Sequence, residues 1–522
     1  MLNKIEKAET DVLVIGGGPA GCWAAWNAVS AGMSVILIDK GYVGTSGATA
    51  AGNTTTIYTK RGTAERAATV DQRLRLGQGF AEQAVVETVL DRTVENLDLL
   101  AHWGYPFPTY EDGRPYRGML RGPDYLRFMR QKLIKARVKI LDHCPAEELL
   151  LSDGVVAGAI ARYRRGGEAL AIHAGAVVIA SGGCAFLSGA LGTNNLTGDG
   201  YLMAAEAGAT LSGMEFSAQY GISPAYSSVT KGVVYFWGTF TNEAGDVLGE
   251  AGDRQSAVAQ ELIKGSVYAV LDKAPPRLQE GFRRGQPNIF VPFDRLGIDP
   301  FTERFPITLR HEGTVRGTGG LKIDARAGTT VPGLFAAGDA ATRQAMSGAT
   351  TGGGGPNSSW AMATGSWAGE DAAAFVKALG PLWRSRTVHR VSAVAASDRG
   401  EANDTVADVT DIVKQQILPV DRGFFRTAET LTAASQSLNA LWADETWRSR
   451  RNARVREAEA LIATARWVTE SALLRRESRG LQRRLDHPEQ NSALRKAIDT
   501  GGTDHIWTSY VSLSPQRMSH AS

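Results

Sequence analysis

Asp11 to Lys40 reads DVLVIGGGPAGCWAAWNAVSAGMSVILIDK, the pattern of a strand, a glycine-rich turn, a helix and a second strand. Asp11 to Ile15 is a short apolar run of the kind buried on both faces of a parallel sheet. Gly16, Gly18 and Gly21 follow at the G-x-G-x-x-G spacing, each with its own task. Gly16 permits the tight turn, Gly18 lets backbone approach a pyrophosphate, and Gly21 lets the helix pack on the strand, its N-terminus facing the anion. Asp39 ends the second strand about twenty residues beyond the glycines, where a carboxylate accepts hydrogen bonds from an adenosine ribose. Glycine spacing alone also fits a turn without a cofactor; the flanking strands, helix and acid together point to a dinucleotide-binding unit.

A chain of 522 residues is too long for one core, so two or three domains are expected. Lys plus Arg number 57 against 54 Asp plus Glu, a formal charge of +3 that favours neither a nucleic-acid binder nor an acidic tail. The cysteines are Cys22, Cys144 and Cys184, widely separated and without a C-x-x-C, which suggests neither a disulfide framework nor a metal cluster. A reducing cytoplasm is the expected compartment. The polar MLNKIEKAET before the first strand leaves no room for a signal peptide, and no stretch reaches the length of a membrane span.

Gly41 to Asn53 is dense in small and hydroxyl residues, which suits a segment threading close to a ligand or a mobile loop. Ala64 to Trp103 carries a helical apolar pattern and reads as scaffold. Lys139 to Leu151, Gly154 to Arg162 and Gly175 to Ala180 read as strands, leading into Ser181-Gly182-Gly183 and then Thr197-Gly198-Asp199-Gly200. That places permissive backbone at the C-terminal edge of a parallel sheet, where open doubly wound folds bind ligands. From Phe216 to about Gly313 the proline-punctuated pattern suggests an inserted lid. The sheet signal returns at Leu334 to Ala337, with Asp339 beyond it, and the glycine-rich Ser347 to Ser359 leads into a helix over Trp360 to Leu379. Pro381 to Gly400 reads as an irregular linker and the chain from Asp404 as helical. The arginines of Arg448 to Arg484, among them Arg450, Arg451, Arg456, Arg475 and Arg479, are interleaved with acids and read as a solvated helix face or partner surface rather than a nucleic-acid site.

Taken together, Gly16 to Gly21, Ser46-Gly47-Ala48, Thr197 to Gly200, Met214-Glu215-Phe216, Gly319-Gly320-Leu321, Gly333 to Asp339 and Glu470 to Pro488 carry a resemblance over nearly the whole chain. The sequence resembles the flavoprotein family of succinate dehydrogenase and fumarate reductase flavoprotein subunits, L-aspartate oxidase and adenylylsulfate reductase alpha subunits. The resemblance implies an α/β fold with a split Rossmann-like FAD-binding domain at residues 1–225 and 320–380. It also implies an inserted α+β capping domain at 226–319 and a C-terminal helical domain at 400–522. FAD would be held by Gly16, Gly18, Pro19, Ala20, Gly21, Asp39, Lys40, Ser46, Gly47, Ala48, Gly52, Ala146, Gly182, Gly183, Asp199, Asp339, Asn357, Ser358 and Ser359. No metal ligand is expected.

In this family hydride passes between substrate carbon and flavin N5, and a cap arginine usually relays the proton. Arg254 lies within one or two residues of that arginine's position, with a surface arginine as the alternative. Arg316, His311 and Tyr220 are the other candidate catalytic residues, and Arg343 a further candidate for the polar lining; His311 also fits a structural role. Glu215 is expected to fix the loop over the flavin. Covalent members attach FAD through a histidine whose position here is Gly47, so the flavin is expected to be non-covalent.

The grip on a dicarboxylate also departs from the family pattern. His-Pro-Thr is missing after Phe216, the histidine position before Gly319 holds Val315 or Arg316, and the arginine of the Asn-Arg-Leu-Gly-Gly-Asn run falls at Thr350 or Thr351, before Gly352 to Gly355. The substrate is therefore expected to be larger or less anionic than a dicarboxylate, although Arg316 and Arg343 leave open a dicarboxylate site of another geometry. Expected partners are that small molecule and an iron-sulfur or ferredoxin-like protein, with room for a homo-oligomer; a free-standing oxidase and a non-catalytic flavin-binding protein are the competing readings.

Overall fold

The computed structural model describes residues 6–165, 167–230, 233–249, 253–351, 353–391, 404–448 and 453–513. Gly352, Arg450, Arg451 and the linker residues 392–400 therefore lie outside the described residues. The main sheet has eight strands in the order His389–Arg390, Ala146–Ser152, Val155–Arg162, Ala169–Ile179, Glu6–Ile15, Val35–Ile38 and Lys139–Leu141, with Leu334–Ala336 also paired to Ala169–Ile179. Pairing is parallel around the first strand and antiparallel among Ala146–Ser152, Val155–Arg162 and the start of Ala169–Ile179. The sheet is thus mixed. Val12, Leu13, Val14 and Leu37 are wholly buried, as the apolar runs require of central strands covered on both faces.

Helices Pro19–Ser30 and Gly354–Leu379 pack against each other on this sheet. Their approach is set by small residues: a Cβ at Gly365 would fall 2.4 Å from the Ala20 carbonyl oxygen, and one at Gly369 would fall 2.2 Å from that of Ala24. The helical pattern of Ala64 to Trp103 resolves into two helices, Ala64–Leu76 and Gln83–His102. Gln78 and Gly79 between them have left-handed φ values of 51° and 87°, which a continuous helix cannot accommodate. Conversely, the helix expected from Trp360 begins at Gly354. A Cβ at Gly354 would stand 2.3 Å from Thr55 Oγ1, so this first turn has to be glycine where it meets the neighbouring loop.

The segment between the halves holds a four-stranded antiparallel sheet, Tyr220–Pro224, Phe305–His311, Val267–Val270 and Thr239–Asn242. Its prolines are structured: Pro276 and Pro287 open helices, where a missing N–H costs nothing. The C-terminal region is helical over Asp404–Ile417, Ala428–Ala443 and Ala453–Leu474, then adds strands Ala497–Gly501 and Trp507–Val511. These strands join a small sheet with Leu211–Ser212 and Gly320–Leu321. The arginines of that region do not form one solvated face: Arg454 and Arg476 are exposed, but Arg466, Arg475, Arg479 and Arg484 are buried, because Glu215, Glu477, Asp486 and backbone carbonyls receive their donors.

Candidate functional site

A cavity of about 920 Å³ runs from the C-terminal edge of the main sheet to the inserted four-stranded sheet. That size lies at the upper end of ligand pockets. The three spaced glycines divide the work as the turn demands. Gly16, at φ +109°, runs so close to the chain after the neighbouring strand that a Cβ would lie 2.3 Å from the Ala180 carbonyl oxygen. A Cβ at Gly21 would lie 1.8 Å from the Gly16 carbonyl oxygen, whereas Gly18 faces open space on the cavity. Gly18 is also the N-cap of Pro19–Ser30, with no side-chain cap and no acid in the first turn, so the amides there are left for an anion.

Asp39 organises this turn. One carboxylate oxygen accepts from the Gly17 amide at 2.7 Å, and the other from the Gly41 amide at 2.7 Å and from Ser46 Oγ at 2.8 Å. Lys40 donates to Asp199 at 2.8 Å and to Thr197 Oγ1 at 2.8 Å. Burial acts to lower the Lys40 pKa and to raise that of Asp199, but their mutual attraction outweighs it, leaving the lysine raised and the aspartate lowered. Both therefore carry charge at the cavity wall.

On the far side, Gly353 caps Gly354–Leu379 without a side-chain hydrogen bond, and Gly353, Gly354, Asn357 and Ser358 line the cavity. Both amide atoms of Asn357 are buried without a partner, as is Ser181 Oγ, another lining atom. Unserved polar groups and two uncapped helix ends around one elongated cavity fit a dinucleotide's phosphates and a flavin's polar edge. Asp339, whose carboxylate accepts from Arg343 at 2.6 Å, lines the same space.

Of the residues expected to hold cofactor, Gly16, Gly18, Pro19, Ala20, Asp39, Lys40, Ser46, Gly47, Ala48, Gly52, Ala146, Gly182, Asp199, Asp339, Asn357 and Ser358 line the cavity. Gly21, Gly183 and Ser359 stand behind it: a Cβ at Gly183 would meet Thr314 Oγ1 at 2.4 Å, and Ser359 is fully buried.

The candidate catalytic residues separate. Arg254 and Arg316 line the cavity. Arg254 begins helix Arg254–Lys264, capped by Asp253, and donates to the Tyr235 carbonyl at 3.4 Å while lying over the Phe240 ring. Arg316 Nε is 3.9 Å from Glu312 Oε1. Tyr220 also lines the cavity, but its hydroxyl is spent on the Leu418 carbonyl at 3.0 Å. Burial pushes its pKa up, so it stays a phenol.

His311 does not line the cavity. In Phe305–His311 alternate residues face the buried side, and His311 follows Phe305, Ile307 and Leu309 there, its ring 4.8 Å from that of Tyr220. Burial, and then Arg426, lower its pKa to about 3, so the imidazole is neutral near pH 7. Arg343 is likewise buried behind the wall, donating to Asp339 and to the carbonyls of Thr314 and Val315. The three cysteine thiols are buried, and burial pushes each up to about 12.

The cavity also gathers polar residues that spacing did not single out, among them Asn195, Thr230, Gln255, Asn288 and Glu312. Glu312 was detectable in principle: in the polar run before Gly319, strand alternation that turns His311 inward ends just before it.

Residues 11–356 match the family profile described as FAD binding domain, and residues 415–508 match the one described as fumarate reductase flavoprotein C-term. The chain is 25% identical to a fumarate reductase (CoM/CoB) subunit of Methanothermobacter marburgensis, over 94% of this chain and 97% of that one. It is 26% identical to L-aspartate oxidase of Streptomyces coelicolor, over 97% and 92%. Its fold matches an E. coli quinol fumarate reductase chain with a TM-score of 0.80 at 22% identity, covering 98% of each.

Proposed function

Because the chain belongs to the fumarate reductase and succinate dehydrogenase family of FAD-binding flavoproteins, and so is an FAD-dependent oxidoreductase, we propose that it moves a hydride between flavin N5 and a small organic substrate other than a simple dicarboxylate. In this reading residues 1–225 and 320–380 hold a non-covalent FAD, residues 226–319 cap it, and the substrate lies under the cap. When bound, FAD supplies the two-electron chemistry. The turn at Gly16 to Gly18 receives the pyrophosphate, Lys40 and Asp199 set the charge beside it, and the first turn of Gly354–Leu379 offers amides to the flavin's polar edge. Among the described cap residues, Arg254 and Arg316 are the cations on the cavity wall available to handle the proton that accompanies hydride transfer.

The observation that carries the substrate reading is the charge balance of the cap wall. Arg254 and Arg316 face Asp253 and Glu312 around the same cavity, Arg316 being 3.9 Å from Glu312. Arg343 and His311 are withdrawn behind the wall, and Thr351 with Gly353 and Gly354 line it instead of a guanidinium. A dicarboxylate needs two unspent cations, preferably bidentate arginines. Steady-state assays with succinate, fumarate and L-aspartate should all give kcat/KM below about 10⁴ M⁻¹s⁻¹, the lower end for ordinary enzymes. A value above that with any of them overturns the substrate reading.

The Methanothermobacter relative is by its name one subunit of a fumarate reductase, which favours operation of this chain beside a partner subunit; in our reading that partner is an iron-sulfur or ferredoxin-like protein and the compartment the cytoplasm. Co-purification of such a partner supports it. Rapid reoxidation of the reduced flavin in air without one supports an oxidase, which the likeness to L-aspartate oxidase favours.

A further inference from the structure

Glu312 is an acid at the substrate side of the cavity, and its two oxygens are unequally served. The residue is 5% exposed and lines the cavity together with Gly221, Thr230 and Arg316. Its amide donates to the Gln219 carbonyl at 2.8 Å, which anchors it just beyond strand Phe305–His311. Oε1 accepts from Thr230 Oγ1 at 2.8 Å and stands 3.9 Å from Arg316 Nε. Oε2 has no hydrogen-bond partner among the described residues. It lies over Gly221, where a Cβ would stand 3.1 Å from it, so a glycine leaves the approach to this oxygen open.

A carboxylate oxygen that opens on a cavity without a protein donor is free to accept from a ligand, and a charge-assisted hydrogen bond there is among the stronger polar contacts a site can offer. Asp253, the other carboxylate that the described cap residues bring to the cavity, does not offer the same opening. Its Oδ1 accepts from the Gln255 and Ser256 amides and its Oδ2 from Ser256 Oγ. Tyr235, Phe236 and Phe240 add an aromatic wall to the same cavity. We infer that Glu312 is a specificity-determining residue that selects a substrate donating a hydroxyl or ammonium group to Oε2 and rejects one that places a carboxylate there. This rests on the reading that the capped cavity is the substrate site. A carboxylate at that point would meet like charge, whereas a hydroxyl or ammonium completes the hydrogen bonding of a group already fixed by Thr230.

Three probes of one shape separate the possibilities: benzylamine, benzyl alcohol and benzoate, each titrated into the full-length, FAD-loaded protein at pH 7. Binding is read by perturbation of the flavin absorbance and by calorimetry. Benzylamine and benzyl alcohol should bind at least about tenfold more tightly than benzoate, the scale of one charge-assisted hydrogen bond. Glu312→Gln should reduce the benzylamine preference at least about tenfold, while Glu312→Asp, which keeps the charge, should retain benzylamine as the tighter ligand. Flavin content and melting temperature identify a variant that has lost its fold, and the wild-type ranking tests the inference without any variant. Benzoate binding as tightly as benzylamine to the wild type, or a ranking untouched by Glu312→Gln, overturns the role of Glu312 alone. Failure of all three probes to bind or to perturb the flavin overturns the cavity reading, and this inference with it.

Discussion

Arg475 and Glu215 form an ion pair at 2.8 Å in which neither side chain reaches solvent. The same guanidinium donates to Glu477 and to the carbonyls of Leu494 and Lys496, so it joins the C-terminal region to the Met214–Phe216 loop of the FAD-binding half. Burial acts to lower its pKa, but the two carboxylates outweigh this and hold Arg475 charged. A buried pair of this kind can cost as much to form as it returns, yet breaking it from one side leaves a stranded charge.

Arg475→Ala should therefore destabilise the protein by about 3 to 5 kcal/mol, because Glu215 stays buried without its partner, whereas Glu477 keeps its pair with Arg479. Arg475→Lys should recover only part of this, since an ammonium cannot reproduce the guanidinium's fork of donors. Urea unfolding midpoints report both, and an unchanged midpoint for the alanine variant would refute the account.

The Lys40–Asp199 pair should write itself into the pH dependence of stability. The folded pKa of Asp199 is lowered, so its contribution is present above an unfolded value of about 3.9 and is lost as pH falls through the lower folded value. The folded pKa of Lys40 is raised, so its contribution is present below about 10.4 and is lost as pH rises through the higher folded value. The stability difference between wild type and Asp199→Asn should be flat between these limits and shrink outside them, as measured by unfolding across pH. A difference that varies steeply near pH 7 contradicts this assignment.

Asp39→Ala removes the acceptor that holds the Gly17 and Gly41 amides and Ser46 Oγ around the phosphate turn. Loss of one hydrogen bond to a charged group is worth about 1.5 to 3 kcal/mol, so FAD should bind roughly ten- to a hundredfold more weakly. Fluorescence titration of FAD into apoprotein measures it directly. Wild-type affinity in the variant would show that the turn keeps its shape without the carboxylate.

Gly47 lines the cavity at φ +83° and offers no nucleophile. Acid precipitation should consequently release all of the yellow colour into the supernatant. Flavin that stays with the denatured polypeptide would mean a covalent link through another residue.

The legible parts of this molecule were those in which one local pattern has one backbone solution. The strand-turn-helix-strand at Asp11 to Lys40 can be read residue by residue, because a close turn, a close helix packing and an open phosphate approach each exclude a Cβ at a different place. The cap and the C-terminal arginines were less legible. The proline-punctuated stretch shows no regular pattern in sequence, yet Pro276 and Pro287 begin helices, and the arginine-rich run reads as a solvated face or partner surface, since charge alone does not reveal that Glu215, some 260 positions away from Arg475, supplies its counterion.

The sequence by itself determined the dinucleotide turn, the split of the FAD-binding fold around an insertion and the family, because these rest on spacing within short stretches and on motifs in fixed order. Only the tertiary structure decided which polar residues reach the cavity. It turned His311 into the cap core, withdrew Arg343 behind Asp339 and brought Glu312 beside Thr230, residues 82 positions apart. The physical reason is that which face of a strand a residue occupies, and what packs against that face, are set by pairing between distant segments: Tyr220 opposite His311 places the imidazole against an aromatic ring, and the chain beyond it against the cavity.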